Sequence, residues 1–210
     1  DQKRQQMLSA GMMSVKVDLP ALFNNRVAFR TISILDADID LYKENEGTKP
    51  NFQFIVDAFA SKDKKEKSKL DLAVNSLVIR RTHVKFNQHD RAKTPGVVNL
   101  SHISVRDIDA SISLKRLTSD SVQLRIRNLD FHEESGLDVQ KLQLNLAAGR
   151  KNMSIEDFDL RLPNSVIKFD DLTATYSGNN IKEYIKTLKL KGDFDNVSIA
   201  TDDLACLHRK

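Results

Sequence analysis

The segments Val122-Gln123-Leu124-Arg125-Ile126-Arg127 and Lys141-Leu142-Gln143-Leu144-Asn145-Leu146 alternate apolar and polar residues without interruption. Side chains of a β-strand point alternately to opposite faces, so a strand with one buried face carries apolar residues at every second position. An amphipathic helix would instead repeat its apolar residues every three or four positions. Both segments are therefore predicted to be strands with one apolar and one polar face.

The same alternation recurs over much of the chain, and we expect the apolar residues of each segment to share one face. It slips by one residue between Val74 and Leu77 and between Val105 and Ile108. A β-bulge or a short corner at each of these places would return the apolar residues to the same face. The further alternating segments have apolar residues at Leu35, Ala37, Ile39 and Leu41; at Leu70, Leu72 and Val74; at Ala110, Ile112 and Leu114; at Phe158, Leu160 and Leu162; and at Leu172, Ala174 and Tyr176.

Residues typical of turns separate the strand segments, and no long helical pattern lies between them. Parallel strands need a long crossover, usually a helix, whereas antiparallel strands can be joined by short turns. We therefore expect a mainly β fold, an elongated and curled antiparallel sheet with one or two short helices. The turn segments are 93–96, 133–136, 148–152, 163–165 and 177–180.

One segment breaks the alternation, because Phe52, Ile55, Val56 and Phe59 have the spacing of one helix face. This spacing predicts a short helix near 51–59. For a second helix, beginning near Asn179, two interpretations stay open. Ile181, Tyr184, Ile185 and Leu188 have helical spacing, but Leu188 and Leu190 alternate as in a strand.

Residues 61–69 contain no apolar side chain and predict a charged, solvated loop. This loop divides the chain into a first unit at 1–60 and a continuing strand series at 70–210. The chain opens on Asp1 and its last strand-like segment runs almost to Lys210. We therefore expect a piece of a longer protein, with the strand series at 70–210 truncated at its C-terminal end.

The composition argues against several classes of function. The 33 Lys and Arg residues exceed the 29 Asp and Glu residues by a net charge of +4 that is spread along the chain, so nucleic-acid binding is not expected. One cysteine, Cys206, permits neither an internal disulfide framework nor a cysteine-based zinc site. The absence of Trp argues against a sugar-stacking or base-stacking surface.

Candidate metal ligands are better explained by strand faces. Asp36, Asp38 and Asp40 resemble the opening of a calcium loop, but Leu41 and Gly47 occupy the positions where such a loop needs Gly and Glu. We expect the aspartates to line the polar face of a strand. His83 and His89 have no third ligand at a matching interval, so we expect solvated histidines and no metal.

No catalytic motif is present, and the protein is not expected to be an enzyme or to hold a cofactor. The acidic pairs Glu133-Glu134, Asp170-Asp171 and Asp202-Asp203 adjoin turns or the ends of elements, where carboxylates cap and solubilise. His208 is two residues from Cys206 and is not placed to act as its base.

The apolar strand faces could pack against a second sheet, or they could line an open hydrophobic groove (a β-taco). Little helix is available to cover them, and few aromatic residues could fill a centre, which favours the groove. Acyl chains are suitable occupants, since removing each CH2 from water yields roughly 0.8 kcal/mol. The predicted lipid-lining residues are Leu72, Val74, Ile112, Leu114, Leu124, Ile126, Leu142, Leu144, Leu146, Leu160, Leu162 and Leu172.

Several segments resemble the AsmA/TamB family of Gram-negative envelope proteins, and the resemblance covers nearly the whole chain. The runs at 17–23, 32–42 and 51–54 are similar to the N-terminal AsmA-like repeat, and 70–86 looks like the same strand pair repeated. Three further segments resemble the TamB branch of the family, which belongs to the translocation and assembly module. They are Ser135-Gly136-Leu137, Leu162-Pro163-Asn164-Ser165 and Asp202-Asp203-Leu204-Ala205.

The resemblance implies a membrane-proximal segment of a periplasm-spanning lipid-transfer protein. Such a protein carries phospholipid or a related lipid between the inner and outer membranes and supports outer-membrane biogenesis. It would be anchored by an inner-membrane helix and linked to a BamA-type outer-membrane barrel, and neither the helix nor the barrel-binding domain lies in this sequence. The alternative is a periplasmic β-scaffold that binds client strands by strand addition. In either case, open sheet edges would allow the isolated segment to self-associate.

Overall fold

The computed structural model describes residues 6–22, 26–54, 57, 71–118, 120–178, 183, 186–194 and 196–207. At 22, 26, 27, 71 and 72 only the backbone is described. Among these residues, no helix combines the length and the apolar character that a membrane crossing requires.

The described residues form one mainly β unit. A short helix, α1, occupies Leu19–Leu22, and a 3-10 helix occupies Thr201–Leu207 near the C-terminal end. The strands are β1 Leu8–Val17, β2 Arg26–Lys43, β3 Asp71–Gln88, β4 His102–Leu117, β5 Val122–Glu133, β6 Asp138–Val139, β7 Lys141–Ala148, β8 Asn152–Arg161, β9 Val166–Thr175, β10 Lys189–Gly192 and β11 Asn196–Ser198.

The strands of the described residues belong to one 11-stranded sheet with the order β1-β2-β3-β4-β5-β7-β8-β9-β10. Two short strands lie off this path, because β6 pairs with β5 and β11 pairs with β9. The sheet is curled and open and does not close into a barrel. The predicted fold class is therefore confirmed.

One strand pair departs from the expected antiparallel order, because β2 and β3 are parallel. In this pair each residue lies beside the residue 45 positions later, from Arg26 opposite Asp71 to Lys43 opposite Gln88. The prediction relied on the lack of a helical crossover. Residues 44–70 are nevertheless long enough to return the chain to the starting end of β2, as a parallel connection requires.

The predicted helices fall largely outside the described residues. Gln53, Phe54 and Asp57 are helical within the predicted 51–59 segment. Near Asn179, both interpretations hold in part, since Lys186 and Thr187 are helical and Lys189–Gly192 is strand. The predicted charged loop at 61–69 lies outside the described residues.

Irregular residues restore the alternation where the sequence predicted a slip. The β3–β4 register shifts between Val74 and Leu77, and the β4–β5 register shifts between Arg106 and Asp109. Both predicted bulges are confirmed. Each lets the apolar residues on its two sides return to the same face.

Residues with positive φ form a line across the long strands, which we call the crease. It consists of Asp36 on β2 (φ 52°), Arg81 on β3 (φ 46°) and Asp107 on β4 (φ 55°). The sequence predicted the irregularity at its β4 member, between Val105 and Ile108, but not those at Asp36 and Arg81, and the crease corrects one expectation. Leu35 lies opposite Arg80 on the polar face, whereas Ile39 lies opposite Val84 on the apolar face.

The C-terminal 3-10 helix ties distant turns of the sheet together at one end of the strands. The Asp203 carboxylate accepts hydrogen bonds from the Asn164 backbone N–H (2.8 Å) and the Ser165 hydroxyl (2.6 Å) in the β8–β9 turn. Three residues later, the carbonyl of Cys206 accepts a hydrogen bond from the Val98 N–H in the β3–β4 loop (2.8 Å). The helix therefore bridges turns that the strand order separates, which is consistent with the curl of the sheet.

Candidate functional site

Apolar residues form continuous rows across the sheet, because paired residues on neighbouring strands share a face. The longest row runs from β1 to β9, and a second row runs beside it from β1 to β7. The first row is Val17, Phe29, Val74, Leu114, Leu124, Leu146, Ile155 and Leu172. The second row is Val15, Ile32, Leu77, Ile112, Ile126 and Leu144.

The predicted lining residues whose side chains are described lie together on this apolar face. Leu142 and Leu160 begin a third row and face each other across β7 and β8. Leu162 continues the alternation of β8 beyond Leu160. The backbone of Leu72 pairs with that of Leu117, but its side chain lies outside the described atoms. The other predicted residues belong to the two rows given above.

Most lining side chains are only half-buried. Among the predicted residues, Val74, Ile126 and Leu162 are buried. Thr82 is the largest fully buried side chain in the part of the chain that the structure describes. A packed core would bury its leucines completely, so the described residues leave much of this face without a second layer. The half-buried lining residues are Ile112, Leu114, Leu124, Leu142, Leu144, Leu146, Leu160 and Leu172.

An aromatic cluster at the β8–β9 end of the apolar face was missed by the sequence analysis. Phe158 and Phe169 pair across the two strands and stack with ring centroids 4.5 Å apart. Phe194 packs edge-on against Phe169 at 5.3 Å, so the segment after β10 covers part of the face there. In the sequence, the alternation of Ile167 and Phe169 with Lys168 could have indicated that Phe169 lies on the apolar face.

The opposite face carries ion pairs along the parallel strands, with partners 45 residues apart. Arg81 donates to Asp36 from Nε (2.6 Å) and from Nη2 (2.8 Å). The hydrogen bond from Arg81 lowers the pKa of the Asp36 carboxyl. Asp38 lies 3.2 Å from His83 Nδ1 on the same face. The aspartates therefore line a polar strand face, as predicted.

The histidines on this face make more side-chain contacts than the sequence predicted. His83 lies between Asp38 and Asp107, and His89 Nδ1 is 3.0 Å from a Glu44 oxygen. The His89 ring also stacks on Tyr42 with centroids 5.5 Å apart. These side chains remain about half exposed, but they contact carboxylates instead of water alone. They form part of the polar ladder between β2 and β3.

Glu133 and Asp203 cap turns, as the sequence indicated, but Asp170 and Asp171 lie inside β9 and not beside a turn, which corrects the expectation for that pair. The buried Glu133 accepts hydrogen bonds from the backbone N–H (2.7 Å) and the hydroxyl of Ser135. Cys206 is buried beside this turn, and burial raises the pKa of its thiol. His208 lies outside the described residues. The described contacts of Cys206 are those of a structural residue.

One cavity of the described residues lies away from the rows of leucine. It has a volume of about 1000 Å³ and is bounded by the 93–97 and 133–136 turns. Charged residues line it, among them Lys85, Lys93, Arg106 and Glu134. Because its lining is mixed in charge, this cavity is not suited to an acyl chain. The apolar face remains the candidate site.

Comparison with protein-family models, with curated proteins and with solved structures finds no match for this chain. The resemblance to the AsmA/TamB family therefore stays a prediction from the sequence.

Proposed function

We propose that the apolar face is a lipid-conducting groove and that the chain is a segment of a lipid-transfer protein. The proposal rests on the unbroken apolar row from Val17 on β1 to Leu172 on β9. The leucines of this row are half-buried, and the described residues leave much of the row without a second layer. Such a face suits a mobile apolar ligand, because the ligand can contact apolar side chains on every strand and needs no fixed set of binding residues.

The dimensions and energetics support an acyl ligand. Neighbouring strands lie about 4.8 Å apart, so the row from β1 to β9 extends over roughly 34 Å. One leaflet of bilayer hydrocarbon is about 15 Å thick, so the row is longer than an extended acyl chain of one leaflet. Removing a sixteen-carbon chain from water yields about 12 kcal/mol. The protein side chains that such a chain would contact are already placed on one face.

The resemblance to the AsmA/TamB family extends this proposal to a cellular setting. In that setting the lipid is a phospholipid or related lipid moving between the inner and outer membranes, and the segment lies in the periplasm. An inner-membrane anchor and a BamA-type barrel partner belong to the same proposal. Since no catalytic group is required, the proposed protein acts by binding alone.

Mass spectrometry of lipid that co-purifies with the chain tests this function. We expect wild-type protein to carry acyl lipid and Leu124→Asp to lose most of it, since a chain passing that point would have to remove the carboxylate's water. Gln123→Asp, which adds the same charge to the exposed neighbouring position on the polar face, is the matched control. Equal lipid content in all three proteins, or no lipid in wild type, would contradict the proposal.

A scaffold that binds client strands is the second candidate. It is favoured by the exposed apolar side chains Met12, Met13 and Val15 on the edge strand β1. An edge of this kind can accept an extended peptide as an additional strand. Lipid-free wild-type protein that binds an extended client peptide would favour this candidate.

A further inference from the structure

The outer edge of β1 differs from the edge at the other end of the sheet. β1 has ten residues, of which Lys16 is the only charged one. The opposite edge consists of the shorter strands β10 and β11, and β10 carries Lys189 and Lys191. Short, charged edges resist pairing with another chain, whereas a long and nearly uncharged edge favours it. Within the described residues, the outer edge of β1 has no neighbouring strand.

The pattern of faces along β1 is symmetric about the midpoint between Gly11 and Met12. The crease causes this symmetry. Met12 pairs with Leu35, and Gly11 lies opposite Asp36. Gly11 and Met12 are therefore two successive residues on the polar face. On either side, apolar-face and polar-face residues alternate outward. The apolar face receives Leu8, Ala10, Met13 and Val15, and the polar face receives Ser9, Gly11, Met12 and Ser14.

We propose that β1 pairs with β1 of a second copy of this chain, antiparallel, about a two-fold axis between Gly11 and Met12. This register is the only one that keeps every residue from 8 to 15 opposite a residue of the same face. A shift of one or two positions in either direction places apolar-face residues opposite polar-face residues. The resulting pairs are Leu8 with Val15, Ser9 with Ser14, Ala10 with Met13, and Gly11 with Met12.

Charge and continuity support the same register. Lys16 falls opposite Met7 of the second copy, so like charges do not face each other across the axis. The crease of one copy continues into the crease of the other, and the apolar rows run on through both sheets. Each copy uses its long edge, and the described part of the sheet then keeps only the short edge of β10 and β11, so we expect the assembly to stop at a dimer. The inference does not depend on lipid binding.

A charge-swap experiment tests the pairing and its register. Sedimentation of wild type is expected to give a dimer of twice 23.8 kDa. The double variant S9K/S14K places Lys opposite Lys at two points of the interface and is expected to be monomeric. S9K/S14E places Lys opposite Glu at the same points and is expected to restore the dimer. Within one copy Ser9 lies beside Asp38 and Ser14 beside Ser33, so the folded sheet tolerates these changes.

Three outcomes would overturn the inference: a monomeric wild type at every soluble concentration, a dimeric S9K/S14K, or a monomeric S9K/S14E that is folded by circular dichroism. Cysteine cross-linking supplies a second measurement in the Cys206→Ser background. Mixing Ala10→Cys with Met13→Cys protein should give a heterodimeric disulfide, since directly paired residues have suitable spacing. Mixing Ser9→Cys with Met13→Cys, whose side chains lie on opposite faces, should not, and equal yields from both mixtures would exclude the proposed register.

Discussion

Asp36 and Arg81 lie side by side across the parallel pair β2–β3, and both have a left-handed backbone, with φ of 52° and 46°. Two hydrogen bonds of 2.6 and 2.8 Å join their side chains. The Arg81 backbone N–H, turned away from the ladder, donates to Asp109 Oδ1 at 2.8 Å. The crease is therefore held by side chains on the polar face, while its effect is to keep the apolar residues of both strand halves on the other face.

The same backbone conformation at Asp157 in β8 gives a test of the bulges. Asp157 has φ 54°, and its carboxylate accepts a hydrogen bond from Asn145 Nδ2 at 2.7 Å. Asp157→Val should lower the free energy of unfolding by about 1–2 kcal/mol, because a β-branched residue is strained at positive φ. Asp157→Asn, which tolerates this conformation, should be close to wild type in urea unfolding. Equal stability of the two variants would show that the left-handed conformation is absent.

Charge on the apolar face should separate an open groove from a packed core. Leu144 is half-buried and Ile126, its partner across β5 and β7, is 8% exposed. Leu144→Asp should therefore stay folded with its carboxylate hydrated but lose bound lipid, whereas Ile126→Asp should lose several kcal/mol of stability. Gln123→Asp, exposed on the polar face, should change neither property. Thermal unfolding and lipid extraction on the three variants check this, and an unfolded Leu144→Asp would indicate a closed core.

Protonation of Asp159 should account for part of the stability that the chain loses at acid pH. Hydrogen bonds from Arg161 (3.0 Å) and Lys141 (2.7 Å) hold the pKa of this buried carboxyl below its usual range. Its contribution is present above the unfolded pKa of about 4 and is lost as the pH falls through the lower folded pKa.

Asp159→Asn should cost about 1–3 kcal/mol near neutral pH and remove this part of the acid dependence. Urea unfolding at about pH 7 and about pH 3 measures both effects, with the exposed Asp170→Asn as control. An unchanged acid dependence in Asp159→Asn would mean that other carboxylates account for it.

Cys206 can report on attachment of the C-terminal 3-10 helix. The thiol is 6% exposed, and burial raises its pKa, so alkylation should be slow at neutral pH. Asp203→Ala removes the hydrogen bonds to Asn164 and Ser165 and should accelerate labelling by roughly tenfold through local opening. The adjacent exposed Asp202→Ala should label like wild type. Fast labelling of wild type would show that the helix is not held in place.

The alternation in the sequence was sufficient to predict β3–β5 and β7–β9, most of the shared apolar face and both bulges, because these depend on local periodicity. It did not indicate β1 or the place of Leu35 on the polar face. The pairing of β2 with β3 was not predictable in this way, since parallel and antiparallel neighbours have the same alternation along each strand. The crease was hidden for another reason. Asp and Arg at positions 36 and 81 are ordinary strand-face residues in the sequence, and their backbone conformation depends on the contact between them.

The connection between β2 and β3 also orders the events of folding. The later strands are joined by short turns, so β7, β8 and β9 can pair by closing loops of a few residues. Pairing of β2 with β3 must instead close the segment 44–70, and the entropy of that closure has to be met before any ladder contact forms. We therefore expect the C-terminal hairpins to assemble first and the β1–β2 hairpin to join them as a second unit in a slower step.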